Sequence, residues 1–293
     1  MTMVLTLIAG SSSRQTLPRL AGAIAGAVGI SRRPTWLADE ACDLFFDANS
    51  PGPAEAAARV VIGAAQIDVL VQPVAGRRKR LLVADMESTI IENEMLDELA
   101  DFIGRRRQVS EITRRAMNGE IDFATSLKER VGLLAGVADH VLERAAERIR
   151  LRAGARQLIA TMRSVGAVTA LVSSGFMIFA ERVAAELGFD HVEANRLDLA
   201  AGRVAGTVSA PVVTGETKRQ TLLALAAEHG VPLEQSMAVG DGANDLPMLT
   251  AAGMGVAFHA KPLVAAGAQW QLDHADLTGL LYAQGYRRDE IVG

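Results

Sequence analysis

The feature that most constrains this chain is a four-residue run, Leu81-Leu82-Val83-Ala84, with no polar side chain on either face. Side chains of a strand alternate between two faces. A strand apolar on both must be buried on both, and a parallel sheet covered by helices provides that. Comparable runs recur at Val168 to Val172, Met237 to Val239 and Gly255 to Phe258. Helical patterns separate them, over residues 155–165, 176–187, 217–229 and 245–252. The alternation predicts an α/β fold with a doubly wound, mostly parallel sheet. Residues from about 93 to 150 interrupt it. They read as helix throughout and predict a cap inserted directly after the first core strand.

Residues 1–74 have a different pattern. Val4 to Ile8 reads as strand and Leu17 to Val28 as helix. Thr35 to Leu37 and Leu44 to Asp47 read as short strands. A helix begins at Pro53 after a chain-breaking Pro-Gly-Pro, and Ile67 to Val71 is a last strand. The order βαββαβ predicts a small α+β, ferredoxin-like unit. The expected organisation is therefore an N-terminal unit, 1–74, and a larger α/β unit, 75–293. The basic run Arg77-Arg78-Lys79-Arg80 between them is expected to be a solvated hinge. A nucleic-acid patch is disfavoured, because the formal net charge is −4 and the pI about 5.8. The lone cysteine, Cys42, cannot form an internal disulfide and reads as a small buried hydrophobe in a reducing compartment. The short apolar N-terminus lacks a basic flank, and no apolar stretch is long enough to span a bilayer. A cytoplasmic protein without membrane or nucleic-acid partners is expected.

In open α/β sheets, ligands bind beyond the carboxyl ends of the strands, so the residues just past each apolar run are the ones placed to do chemistry. After the first run come Asp85 and Glu87, two carboxylates on the same side of an extended chain. One could attack phosphorus to form an acyl phosphate, while the other handles the proton. A helix start decorated with acids is the ordinary alternative. After the second run, Ser173-Ser174-Gly175-Phe176 offers a hydroxyl and backbone N–H groups at a helix N-terminus, which suits a phosphate. Thr214-Gly215-Glu216-Thr217-Lys218 puts a lysine at a helix start, against the helix dipole; neutralising a phosphate would be a reason for it. Finally, Gly240-Asp241-Gly242-Ala243-Asn244-Asp245 crowds two acids and an amide into a glycine-rich turn, a donor set that suits Mg²⁺.

Taken together, these motifs resemble the haloacid dehalogenase superfamily and, within it, the phosphoserine phosphatases. The resemblance runs from Leu81 to Asp276 and is densest in Gly240 to Leu249 and Ala251 to Pro262. It implies a Rossmann-like core with a helical cap, preceded by a unit similar to small amino-acid-binding regulatory (ACT-like) domains. It also implies Mg²⁺-dependent hydrolysis of O-phospho-L-serine, the last step of serine biosynthesis, with one ion per site. Mn²⁺ suits an oxygen-ligand site as well. On this likeness Asp85 is the nucleophile, and Glu87 the acid/base. Ser173 and Lys218 hold the phosphoryl group, with Ser174, Gly175 and Asn244 beside them. Asp85, the backbone carbonyl of Glu87, Asp241 and Asp245 form the metal environment. Glu94 would receive the substrate ammonium and Arg130 its carboxylate. Met117 and Phe123 would cover the site.

Two positions depart from the family pattern. Glu87 stands where the family has aspartate, a reach longer by roughly 1.5 Å. Ser174 stands where glycine is common, and a left-handed backbone there would strain it. Two other readings remain open on sequence grounds: a phosphatase for another small phosphomonoester, or a ligand-binding regulator whose catalytic site has decayed. The N-terminal unit leaves homodimerisation, serine sensing and scaffolding equally open. His259 and Lys261 are not placed by any of these patterns.

Overall fold

A computed structural model of the chain describes residues 1–117 and 120–293, leaving the Met117 side chain aside. The N-terminal unit comprises β1 (Thr2–Ala9), α1 (Leu17–Val28), β2 (Thr35–Ala38), β3 (Ala41–Asp47), α2 (Gly52–Ile62) and β4 (Ile67–Pro73). Its four strands form an antiparallel sheet in the order β2-β3-β1-β4, the ferredoxin-like arrangement expected. Alternate residues of β1, Met3, Leu5 and Leu7, pack with Leu17, Leu20 and Ile24 of α1 and Ala54 and Ala58 of α2. Cys42 is buried in this cluster.

The second sheet is built from β5 (Leu81–Ala84), β6 (Val168–Phe176), β7 (His191–Asn195), β10 (Ser236–Gly240), β11 (Met254–Phe258) and β12 (Trp270–Leu272). All its pairings are parallel, in the order β12-β11-β10-β5-β6-β7. Every residue of β5 is buried, as its composition requires. From β5 the chain winds to β6 and β7 on one side, then crosses to β10 on the other. The switch point therefore lies at β5, where a ligand crevice is expected. The helices covering this sheet are α7 (Ala155–Ser164), α8 (Met177–Leu187), α9 (Gly215–Glu228), α10 (Leu246–Ala251), α11 (Pro262–Gly267) and α12 (Gly279–Ala283).

Between β5 and α7 lies the cap: α3 (Met95–Phe102), α4 (Arg106–Met117), α5 (Phe123–Gly132) and α6 (Asp139–Ala146). Its neck is an antiparallel pair, with Ile91 opposite Leu151. A hairpin of β8 (Leu197–Ala200) and β9 (Arg203–Val208) leans on the cap through Gly136 N–H to the Val204 carbonyl and Val204 N–H to the Val137 carbonyl, both 2.8 Å. No helix among the described residues is long and apolar enough to cross a membrane.

The solvated hinge expected at residues 77–80 fails at two of its four positions. Arg77 and Lys79 are buried, at 8% and 6% exposure. The reason is that the N-terminal sheet sets its second face against the larger unit, so that Ile8, Leu37, Ala41 and Leu70 share a core with Trp270 and Tyr282. Arg77 fills this junction. It donates to both oxygens of Asp43 at 2.6 and 2.8 Å, to Thr6 Oγ1, and to the carbonyls of Tyr282 and Ala283. Lys79 Nζ donates to the carbonyls of Gly76 and Glu234. Asp68 accepts the N–H groups of Asp273, His274 and Ala275. Arg77 and Lys79 are thus seam residues with fixed partners, while Arg78 and Arg80 of the same run are exposed.

Candidate active site

Asp85 leaves β5 with its N–H still bonded to the Val239 carbonyl at 3.0 Å. The chain then turns sharply through Met86–Ile90, with Ser88 left-handed at φ 55°. Non-glycine residues seldom adopt that conformation, and such strain concentrates at functional sites. The turn aims Ser88 Oγ at Glu94 Oε1, 2.7 Å away, and Thr89 Oγ1 at Asp241 Oδ1, 3.1 Å away.

Lys218 is fully buried in the first turn of α9. Thr214 caps that helix reciprocally with Thr217, which fixes its start. The Lys218 Nζ lies 2.7 Å from Asp85 Oδ1 and 2.7 Å from Asp245 Oδ1. Burial works to lower its pKa, but Asp245 and Asp85 outweigh it, and the ammonium is held above the usual lysine range. The other Asp245 oxygen accepts the N–H groups of Asp241 and Gly242. Asp85, Asp241 and Asp245 bring carboxylate oxygens within 4.8 Å of one another. Burial, then the neighbouring Asp245, push Asp85 well up and Asp241 up to about 6.

Ser173 is buried on β6, and its Oγ accepts the Gly175 N–H at 2.9 Å. Ser174 is not among the left-handed residues, so serine sits there without backbone strain. Asn244 Nδ2 reaches Ser174 Oγ at 3.3 Å. Glu87 is half-buried, and its Oε1 accepts the Met95 N–H at the start of α3, 2.7 Å away. Burial, then the Glu94 charge, raise its pKa to about 8.

The sequence-predicted residues Asp85, Ser173, Ser174, Gly175, Lys218, Asp241, Asn244 and Asp245 thus converge on the carboxyl ends of β5, β6 and β10. From the cap side, Arg130 on α5 presents its charge to Glu87, Asp97 and Glu94. Phe123 opens α5 and is 36% exposed. The Met117 side chain lies outside the described residues. His259 turns to the Ala275 carbonyl at 2.9 Å, whereas Lys261 caps α11, and its charge acts on Glu94.

Sequence reasoning missed three residues. Thr89 braces Asp241, and Asp97 faces Arg130. Asn195 is buried at the end of β7. Its Nδ2 donates to the Ser174 carbonyl at 2.7 Å and its Oδ1 accepts the Val213 N–H at 2.8 Å, tying the serine turn to the segment that leads into α9. Only Thr89, two positions beyond Glu87, had a usable signal.

Comparison with known proteins agrees with this geometry. The family model of haloacid dehalogenase-like hydrolases matches residues 82–250. A phosphoserine phosphatase of Streptococcus thermophilus is 44% identical over 199 residues, 68% of this chain and 93% of that protein. One from Mycobacterium tuberculosis is 42% identical over 242 residues, 82% of this chain; the chain spans 59% of that protein's length. A crystal structure of a probable phosphoserine phosphatase from Vibrio cholerae superposes with a TM-score of 0.78 at 30% identity, covering 97% of this chain and 86% of that one.

Proposed function

Because the chain belongs to the haloacid dehalogenase-like hydrolases, we propose that it hydrolyses O-phospho-L-serine to L-serine and phosphate through an aspartyl-phosphate on Asp85. The observation that carries this reading is the buried contact of Asp85 with Lys218, 2.7 Å long, at the switch point of the parallel sheet. The choice of substrate is supported by the streptococcal and mycobacterial relatives and by Glu94 and Arg130 on the cap side.

An oxygen of Asp85 attacks phosphorus, and the bond from phosphorus to the seryl oxygen breaks. Glu87 gives its proton to that oxygen, and serine leaves. Burial, then the Glu94 charge, push its carboxyl up, which favours the protonated form needed for this step. Water then gives a proton to Glu87 and attacks phosphorus, the bond to Asp85 breaks, and phosphate leaves with both carboxyls restored. Ser173 Oγ, the N–H groups of the serine turn and the Lys218 ammonium bind the phosphoryl oxygens as charge develops on them. Asp245 keeps Lys218 charged and aimed. Arg130 grips the substrate carboxylate, and Glu94 receives its ammonium.

The donor set fits Mg²⁺, since it is all oxygen and crowds carboxylates whose repulsion a cation would relieve. Asp85, Asp241 and the Glu87 carbonyl would hold the ion; Mn²⁺ suits the same donors. Both Asp245 oxygens are already engaged, which favours an orienting part for it over direct ligation. When bound, the ion screens the phosphate dianion from the attacking carboxylate. We further propose a cytoplasmic role at the last step of serine biosynthesis, and 1–74 and 75–293 as the two domains.

The test is phosphate release from O-phospho-L-serine and from a sugar phosphate, with Mg²⁺ or with EDTA. Metal-dependent turnover that strongly favours phosphoserine is expected. Equal rates on both would overturn the substrate, and release from neither would overturn the phosphatase reading.

A further inference from the structure

The extra methylene of Glu87 has a matching space. A Cβ placed on Gly175 would lie 2.7 Å from Glu87 Oε2, 2.9 Å from its Cδ and 3.1 Å from Oε1. The Glu87 carboxyl therefore lies directly on the bare backbone of the serine turn. Moving it aside would break the bond its Oε1 accepts from the Met95 N–H at 2.7 Å. Nor does backbone conformation call for glycine at 175, since its φ is not in the left-handed region. The three atoms nearest to an alanine Cβ there would all belong to Glu87. The bond from Gly175 N–H to Ser173 Oγ is likewise open to any residue except proline.

We propose that Gly175 is a positioning residue for the acid/base group: its missing side chain is the seat that lets a glutamate carboxyl occupy the place beside the phosphate turn. Glu87 and Gly175 then form a matched pair, a longer acid set against an unadorned backbone. This gives the departure at Glu87 a place in the site, because the carboxyl lies between the Gly175 backbone of β6 and the Met95 N–H of α3. The inference rests on the phosphatase reading for its catalytic meaning, but its geometry is testable apart from it.

The test is a double-mutant cycle of Gly175→Ala and Glu87→Asp. In the parent, Gly175→Ala should lower kcat on O-phospho-L-serine by about 10²-fold, the cost of misplacing a reacting group by about 1 Å, with KM changed less than about threefold. In the Glu87→Asp background the shorter carboxyl withdraws from residue 175, and the same substitution should cost less than about threefold. Equal losses in both backgrounds would overturn the pairing and leave Gly175 to the phosphate turn alone. The cycle read in melting temperatures needs no substrate. Gly175→Ala should lower the parent's Tm by about 2–4 °C, as the Met95 contact is lost, and the Glu87→Asp protein's by less than about 1 °C. A parent inert on phosphoserine would sink the substrate reading while the melting cycle still decides the pairing, for which equal Tm losses are the refuting outcome.

Discussion

Two of the clusters of buried charge among the described residues are built on opposite plans. At the seam between the units, one guanidinium meets one carboxylate. Arg77 and Asp43 bond to each other twice, and Thr6 and two carbonyls take the remaining contacts. At the switch point, Asp85 and Asp245 both contact the Lys218 ammonium, and the Asp241 carboxylate crowds against theirs. Burial and mutual repulsion push Asp85 and Asp241 upward. A balanced, saturated cluster fixes two surfaces in register. An anionic excess in a confined space is poised for a cation and a phosphoryl group. The difference separates structural from chemical charge more sharply than burial alone.

The hardest blow to this distinction would come from removing the nucleophile. Asp85→Asn should abolish phosphate release, a loss of about 10⁴-fold or more, with the melting temperature little changed, since an ion pair is lost but a like charge is removed too. Activity assays beside thermal melts check this. A collapse in Tm would make the switch-point cluster structural after all. The converse change is Arg77→Met, which strands Asp43 in the seam. It should destabilise by about 3–5 kcal/mol, while the folded fraction keeps its kcat within about twofold. Adding Asp43→Leu should recover most of that stability. A kcat that falls with Arg77→Met and does not return in the double variant would mean that the seam acts on the chemistry.

Asn195 tests the boundary between the two plans, being neutral and saturated yet inside the site. Asn195→Ala leaves the Val213 N–H without its partner, and about 1–3 kcal/mol of stability should be lost. A roughly tenfold fall in kcat should accompany it, because the serine turn loses its tie to α9. Asn195→Asp, which keeps the acceptor for Val213 but not the donor to Ser174, should restore more stability than rate. Urea melts and steady-state kinetics separate the two effects.

The same division governs how far these regions are legible in the sequence alone. Fully buried strands betray themselves, because β5, β10 and β11 need apolar residues on both faces; α1 is readable over its whole length from its apolar stripe. The half-exposed β7, the β8–β9 hairpin and the three-residue β12 carry no such pattern. Site residues are legible where they directly succeed a buried strand or open a helix, as Asp85, Ser173, Asp241 and Lys218 do. Asn195 ends a strand too weak to read. The seam escapes a local reading because Arg77 has its partner on β3, far back in the chain. A buried Asp43 in a strand makes sense only once that arginine is in place, and tertiary pairing of this kind leaves no local trace.

The last expected effect is on pH dependence, and it asks whether the site retains protons that the seam does not need. With its pKa raised from 4.5 to about 8 in the folded chain, Glu87 keeps a proton between those values that the unfolded chain has released. The folded state then binds more protons, so stability falls as pH rises through that window. In metal-free protein the melting temperature should decline from about pH 5 to pH 8 by several degrees, about 3 kcal/mol of stability. Glu87→Gln, which cannot ionise, should make that decline shallower and leave the share that Asp85 and Asp241 contribute, while Arg77→Met should lower the whole curve without changing its slope. The same proton sets the catalytic limb. With metal restored, kcat/KM should fall on the alkaline side, as the acid that protonates the leaving oxygen is lost, and the bound cation should move that limb below its metal-free position. A flat metal-free melting profile in the parent would place the Glu87 proton elsewhere, and the switch-point cluster would then differ from the seam in its count of charges but not in its hold on protons.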